Sequence, residues 1–115
     1  MEKESLPVPA GASPRMLQLQ KMLEKSPRDP FLVYGLAMEF KKAGDTAGAI
    51  EHFDRTIAID AGYAYAYYQK GQVQESTGEI EAAKQTYRAG IEAAKKKGDA
   101  HAAGEIEAAL DMLEN

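Results

Sequence analysis

An all-α fold, built as a short α-solenoid of stacked helix-turn-helix repeats, is what this sequence predicts. Two observations carry that expectation. The stretch from Pro30 to Ala61, PFLVYGLAMEFKKAGDTAGAIEHFDRTIAIDA, holds two helical patterns back to back, joined at Ala43-Gly44-Asp45. The pattern then returns 34 residues later, from Ala64 to Lys95: Gly44 recurs as Gly78, Ala49 as Ala83, Phe53 as Tyr87, Ile57 as Ile91 and Tyr34 as Tyr68. Self-similarity at a fixed offset marks a repeat stack, in which each pair of helices is covered by the next.

Residues 1–12 contain prolines, a glycine and early charges, and read as a mobile arm. Leu6 and Val8 give the arm apolar groups that suit a groove. Ser13-Pro14 opens a leading helix over 14–26, because serine caps and proline fits the first helical turn. Met16, Leu17, Leu19, Met22 and Leu23 make its apolar face, and Pro27 stops it. Asp29-Pro30 opens the first repeat, 30–61, with Leu32, Val33, Leu36, Ala37 and Phe40 on one side. Gly44 suits the left-handed turn that follows, and Asp45 or Thr46 caps the next helix. Ala49, Ile50, Phe53, Ile57 and Ile59 form the apolar face of that helix.

The second repeat, 64–97, places helices from about Tyr63 to Thr77 and from about Ile80 to Lys97, with Gly78 between them. Gly98 closes it. Asp99 caps a last helix over 99–114, with Ile106, Ala109, Leu110 and Leu113 on its apolar side. Glu105, Glu107, Asp111 and Glu114 keep the other side wet, as the end of a stack requires. The domain thus spans 13–115.

With 115 residues, one domain with a small core is expected. At 44% hydrophobic and 28% charged residues, the composition favours neither disorder nor a membrane span. There are no cysteines, so disulfides and thiolate metal sites are excluded. A net charge of −4 argues against nucleic acid and anionic membranes as partners. The opening MEKESLPVPAGAS has no apolar run and is not read as a secretory signal, so a cytoplasmic location is the default.

Chemistry is sparse. His52 and His101 have no histidine or cysteine at ligand spacing, and both are expected on helix surfaces, with no metal and no cofactor. Glu79/Glu81 and Glu105/Glu107 are two apart and diverge on a helix. No nucleophile elbow or phosphate loop is present, so the chain is not expected to be an enzyme. The basic run Lys95-Lys96-Lys97 is accounted for by the C-terminal end of a helix, which favours cations.

The repeated residues resemble the tetratricopeptide repeat (TPR) family, whose pattern is roughly W-x2-L-G-x2-Y followed by A-x3-F-x2-A-x4-P. The first repeat reads Val33-x2-Leu36-Ala37-x2-Phe40, then Ala49-x3-Phe53-x2-Thr56-x4-Ala61. The second reads Tyr67-x2-Lys70-Gly71-x2-Gln74, then Ala83-x3-Tyr87-x2-Gly90-x4-Lys95. Leu19-x2-Met22-x4-Pro27 looks like the tail of an earlier repeat, so the resemblance covers about Pro14 to Asn115. Lys70 and Gln74 depart from the pattern, where a large apolar and an aromatic residue are usual. The stem of Lys70 can lie over apolar surface while its charge reaches water.

The resemblance implies a protein–protein interaction module, with the first helix of each pair lining a concave groove. Placed on that fold, Phe31, Tyr34, Met38, Tyr65, Tyr68 and Gln72 face the groove. Tyr67 takes the core aromatic position. The rings of Phe31, Tyr34, Tyr65 and Tyr68 form one aromatic field that suits a peptide segment of a partner protein. The alternative is a structural or self-association module whose groove is covered by its own last helix or arm. A monomer or weak homodimer is expected. One branch of the family clamps the C-terminal carboxylate of Hsp70 and Hsp90 with lysine, asparagine and arginine. Tyr34, Met38 and Gln69 stand at corresponding positions here, which is unlike a chaperone-tail receptor.

Overall fold

A computed structural model of the chain describes residues 12–114. The arm expected over 1–12 lies, apart from Ala12, outside the described residues. Six helices follow one another: α1 (Pro14–Lys25), α2 (Pro30–Lys42), α3 (Thr46–Ile59), α4 (Ala64–Ser76), α5 (Ile80–Lys97) and α6 (Ala100–Glu114). Each packs on its neighbour in sequence, and α6 also touches α4. None of these helices is long and apolar enough to cross a membrane.

The helix starts are set by side chains that satisfy free backbone N–H groups. Ser13 Oγ accepts from the N–H of Met16 at 3.1 Å, Asp29 from Phe31 at 3.0 Å and Asp99 from Ala102 at 3.0 Å. Asp45 rather than Thr46 caps α3, accepting from Gly48 at 2.9 Å. α4 and α5 start without such a bond: Tyr63 and Glu79 stand at their N-caps. The turns after α2, α4 and α5 run through Gly44, Gly78 and Gly98 at φ of 81°, 83° and 77°, where a Cβ would strain the chain. α1 ends at Lys25, with Ser26 as its C-cap, one residue before the expected stop.

The core has two parts. The first joins Met16, Leu19 and Leu23 of α1, Leu32 to Phe40 of α2, Ala49 and Phe53 of α3, and Ala66 and Val73 of α4. The second joins Ala64 of α4, Ala83, Tyr87 and Ala94 of α5, and Ala102, Ala103 and Ile106 of α6. Phe53 is fully buried, as a residue bridging successive pairs should be. Gly71 is required by its partner: a Cβ there would lie 2.2 Å from Tyr87 Cε1. The corresponding positions of the first repeat hold Ala37 and the smaller Phe53, both buried in the first core.

Three expectations need correction. Leu17 and Met22 are 53% and 44% exposed, because α1 packs chiefly on α2 and buries a narrower stripe than its apolar residues offer. His52 is not a surface residue. It is 1% exposed, stacked on Phe40 with ring centroids 4.7 Å apart, and its Nδ1 lies 2.7 Å from the carbonyl of Gly48. It fills the space between α2 and α3 as a flat ring does. Tyr67 holds the core aromatic position only in part: its ring is half-buried, and its hydroxyl donates to the carbonyl of Ala61 at 2.8 Å.

The departures in the second repeat are covered locally. Lys70 pairs with Asp54 of α3 at 2.6 Å. Gln74 is buried and accepts from Thr86 Oγ1 at 2.7 Å. The burial rhythm of α6, Ala102-Ala103-x2-Ile106, repeats that of α2, Leu32-Val33-x2-Leu36. α6 therefore stands as the first helix of a third pair.

Candidate functional site

The side formed by α2, α4 and α6 is tied together across repeats. Lys41 Nζ donates to the side-chain oxygens of Gln69 and Gln72, the latter at 3.0 Å. Tyr65 donates to Glu105 Oε1 at 2.5 Å. The residues expected in the groove sit along this side as follows. Phe31, in the first turn of α2, is 62% exposed and stacks on no other ring. Tyr34 and Met38 are half-buried against the first core, and Tyr65 and Tyr68 against the second. Gln72 is half-exposed beside Lys41.

The rings form two groups, not one field. Tyr34 packs against Tyr63 at 5.0 Å and Phe53 at 5.8 Å. Tyr68 packs against Tyr65 at 6.2 Å, edge to face, and against Tyr87 at 6.3 Å. The reason is burial: each tyrosine leans onto the core of its own repeat. An open cleft of about 570 Å³ lies between the groups, lined by Tyr34, Tyr63, Tyr65, Lys97 and Asp99 among others. Tyr63 was not anticipated. Its counterpart one repeat earlier is Asp29, a cap, so the aromatic at that place departs from the repeat.

Electrostatics follow from these contacts. The hydrogen bond to Glu105 pushes the Tyr65 phenol up to about 12, since a carboxylate acceptor favours the protonated hydroxyl. Burial raises the phenols of Tyr34 and Tyr63, with the Gln69 amide beside Tyr34 acting in the opposite direction. Burial lowers the Lys41 ammonium. The α6 positions that correspond to Phe31, Tyr34 and Met38 hold His101, Gly104 and Ala108. The aromatic character of the face therefore stops at α4. Among the described residues no group of three histidine, aspartate or glutamate side chains gathers as metal ligands.

The sequence and the fold have clear relatives. The tetratricopeptide repeat pattern matches residues 41–104. A TPR repeat-containing protein of Pseudomonas aeruginosa is 30% identical over 96 residues, which are 84% of this chain and 91% of that protein. A tetratricopeptide repeat domain protein from Salinibacter ruber, solved by NMR, superposes with a TM-score of 0.72 at 32% identity, covering 76% of this chain and 89% of its own. The TPR2B domain of yeast Sti1, solved in complex with pHsp70, superposes with a TM-score of 0.80 over 86% of this chain and 79% of its own. At 20% identity that likeness speaks of the fold alone. With its two helix-turn-helix pairs, its left-handed glycine turns and these relatives, the chain belongs to the tetratricopeptide repeat family.

Proposed function

We propose that this chain binds a peptide segment of a partner protein along the face of α2, α4 and α6. The observation that carries the reading is the aromatic content of that face: Tyr34, Tyr63 and Tyr65 line an open cleft, and Phe31, one turn before Tyr34 on α2, is 62% exposed. Rings with an apolar body and a hydroxyl are what a peptide-binding surface uses, and contiguous apolar patches on a surface mark interaction sites. Family members are generally protein-interaction modules, and the yeast Sti1 domain that shares the fold was solved with pHsp70. Tyr34, Met38 and Gln69 stand at positions corresponding to the lysine, asparagine and arginine of the chaperone-tail clamp, which is unlike a chaperone-tail receptor.

Tyr34 and Tyr68 also pack on the core, so their truncation costs stability as well as binding. Phe31 gives the cleaner test. With a partner captured from the native cell, Phe31→Ala should weaken binding by roughly 1–3 kcal/mol and leave the melting temperature nearly unchanged. Tyr34→Ala/Tyr68→Ala should weaken it further. A partner that binds both variants as tightly as wild type removes the groove from consideration. The reading also expects a monomer, or at most a weak dimer, at micromolar concentration, to be checked by light scattering.

A second reading has its own support. Tyr65 is bonded to Glu105, and Tyr65 and Tyr68 pack in the same cluster as Leu110 and Leu113. In this reading α6 covers the α4 half of the groove and the module is structural. Tyr65→Phe then tightens peptide binding by releasing α6, whereas in an open groove it leaves binding unchanged.

A further inference from the structure

We infer that Lys41, held by Gln69 and Gln72, is a subsite for the carboxylate of an aspartate or glutamate side chain in the bound peptide. The inference rests on the reading that this face binds a peptide and names one recognition element within it.

Lys41 lies at the end of α2 and reaches across to α4, where its ammonium donates to two neutral amide oxygens. An ammonium has three donors, so one remains. Amide oxygens orient the group without neutralising its charge. No carboxylate among the described residues pairs with it, and its two amide contacts hold it partly buried rather than free in solvent. One acid on each of α2, α4 and α6 is engaged elsewhere: Glu39 with Ser13, Glu75 with Tyr87 and Glu105 with Tyr65.

Partial burial already disfavours the charged form of Lys41. An arriving carboxylate restores what desolvation removes and takes the remaining donor, the charge-assisted bond being stronger than a neutral one. Gln69 stands beside the Tyr34 hydroxyl as well, which links the ammonium to the aromatic part of the face. An acidic side chain a short, fixed distance from an apolar anchor is therefore the pattern this surface fits. One free donor suits a single side-chain carboxylate, in contrast to the several donors that surround a captured chain terminus.

The experiment is a display selection of random dodecapeptides on the full-length protein, keeping sequences whose binding is lost in Tyr34→Ala/Tyr68→Ala. These are synthesised with an amidated C-terminus and titrated. Selected peptides should carry aspartate or glutamate at one constant spacing from an aromatic or aliphatic residue. Changing that glutamate to glutamine should weaken binding about 5- to 10-fold on wild type and less than about 2-fold on Lys41→Met, which keeps most of the aliphatic stem. Tyrosine-dependent peptides without an acidic preference, or with equal affinity for Lys41→Met, overturn the subsite and leave the groove standing. Peptides that bind only with a free C-terminus overturn the side-chain assignment. Recovery of no tyrosine-dependent peptide overturns the groove reading and the subsite together. If Glu2→Gln/Glu4→Gln in the full chain raises peptide affinity several-fold, the chain's own first residues occupy the site, and the assignment to a partner falls.

Discussion

Thr86 donates a 2.7 Å hydrogen bond to the side-chain oxygen of Gln74. The two stand at the positions that His52 and Phe40 fill with stacked rings in the first repeat. The same gap between paired helices is thus closed once by ring stacking and once by a hydrogen bond. Thr86→Val keeps the shape and removes the donor, leaving a buried amide oxygen without a partner. The expected loss is about 1–2 kcal/mol by urea unfolding. Gln74→Leu/Thr86→Val, which removes both polar groups, should lose less than Thr86→Val alone. Additive losses would show that the bond contributes nothing.

Gly71 and Tyr87 make a second coupled pair. Gly71→Ala sets a Cβ within 2.2 Å of the Tyr87 ring, which is held in place through its bond to Glu75. Overpacking of this kind costs roughly 1–3 kcal/mol. Gly71→Ala/Tyr87→Phe recreates the Ala37 and Phe53 combination of the first repeat and frees the ring from Glu75. It should recover part of the loss. A double variant no more stable than Gly71→Ala would place the strain in the backbone of α4 instead.

Phe53 touches the first core at its centre and packs against Tyr34. Phe53→Ala should cost roughly 3–5 kcal/mol, a large share of what a domain this small possesses. A melting temperature within a degree or two of wild type would contradict the assignment of this ring to the space between pairs.

His52 predicts a pH dependence. Its Nδ1–H faces the Gly48 carbonyl, and its Nε2 is buried with no partner. Burial lowers its pKa below the usual 6.5, with the Gly48 bond and nearby acids opposing in part. In the window below about 6.5 the unfolded chain binds a proton that the native chain refuses, so stability falls as pH falls. The decline from this group ends once pH passes the native pKa. Melting followed from pH 7.5 to 5 should show the loss in wild type and a flatter profile in His52→Gln. Identical slopes would show that other groups carry the dependence.

The helices and their limits were legible because their signals are local. Ser13-Pro14, Asp29-Pro30 and the glycines at 44, 78 and 98 act within a few residues of their own position. What stayed hidden depends on partners distant in sequence. The polarity of His52 suggests a surface, and only the Phe40 ring makes it core. Tyr63 breaks the repeat at a cap position, so the offset gave no reason to count it with the groove. The bond from Lys41 to Gln69 and Gln72 crosses between repeats, where no spacing rule within one helix applies. α5 has 18 residues where α3 has 14, and α6 consequently follows α4 in a shifted register that the 34-residue offset does not contain.

The division of the core bears on cooperativity. Ala66 and Val73 of α4 belong to one cluster, and Ala64 with Tyr65 and Tyr68 to the other. Yet α4 is poorly equipped to be a helix by itself: it is rich in tyrosine, and it starts without a side-chain cap. Its helicity is therefore induced from both sides. In a nearest-neighbour description, the intrinsic term of this segment is weak and its two coupling terms are strong. Unfolding either flank withdraws half of what orders α4, and the remaining flank then loses its own neighbour. A chain with two visibly separate cores should accordingly melt as one unit, with the slowest amide exchange in the helix that has the least tendency to form alone.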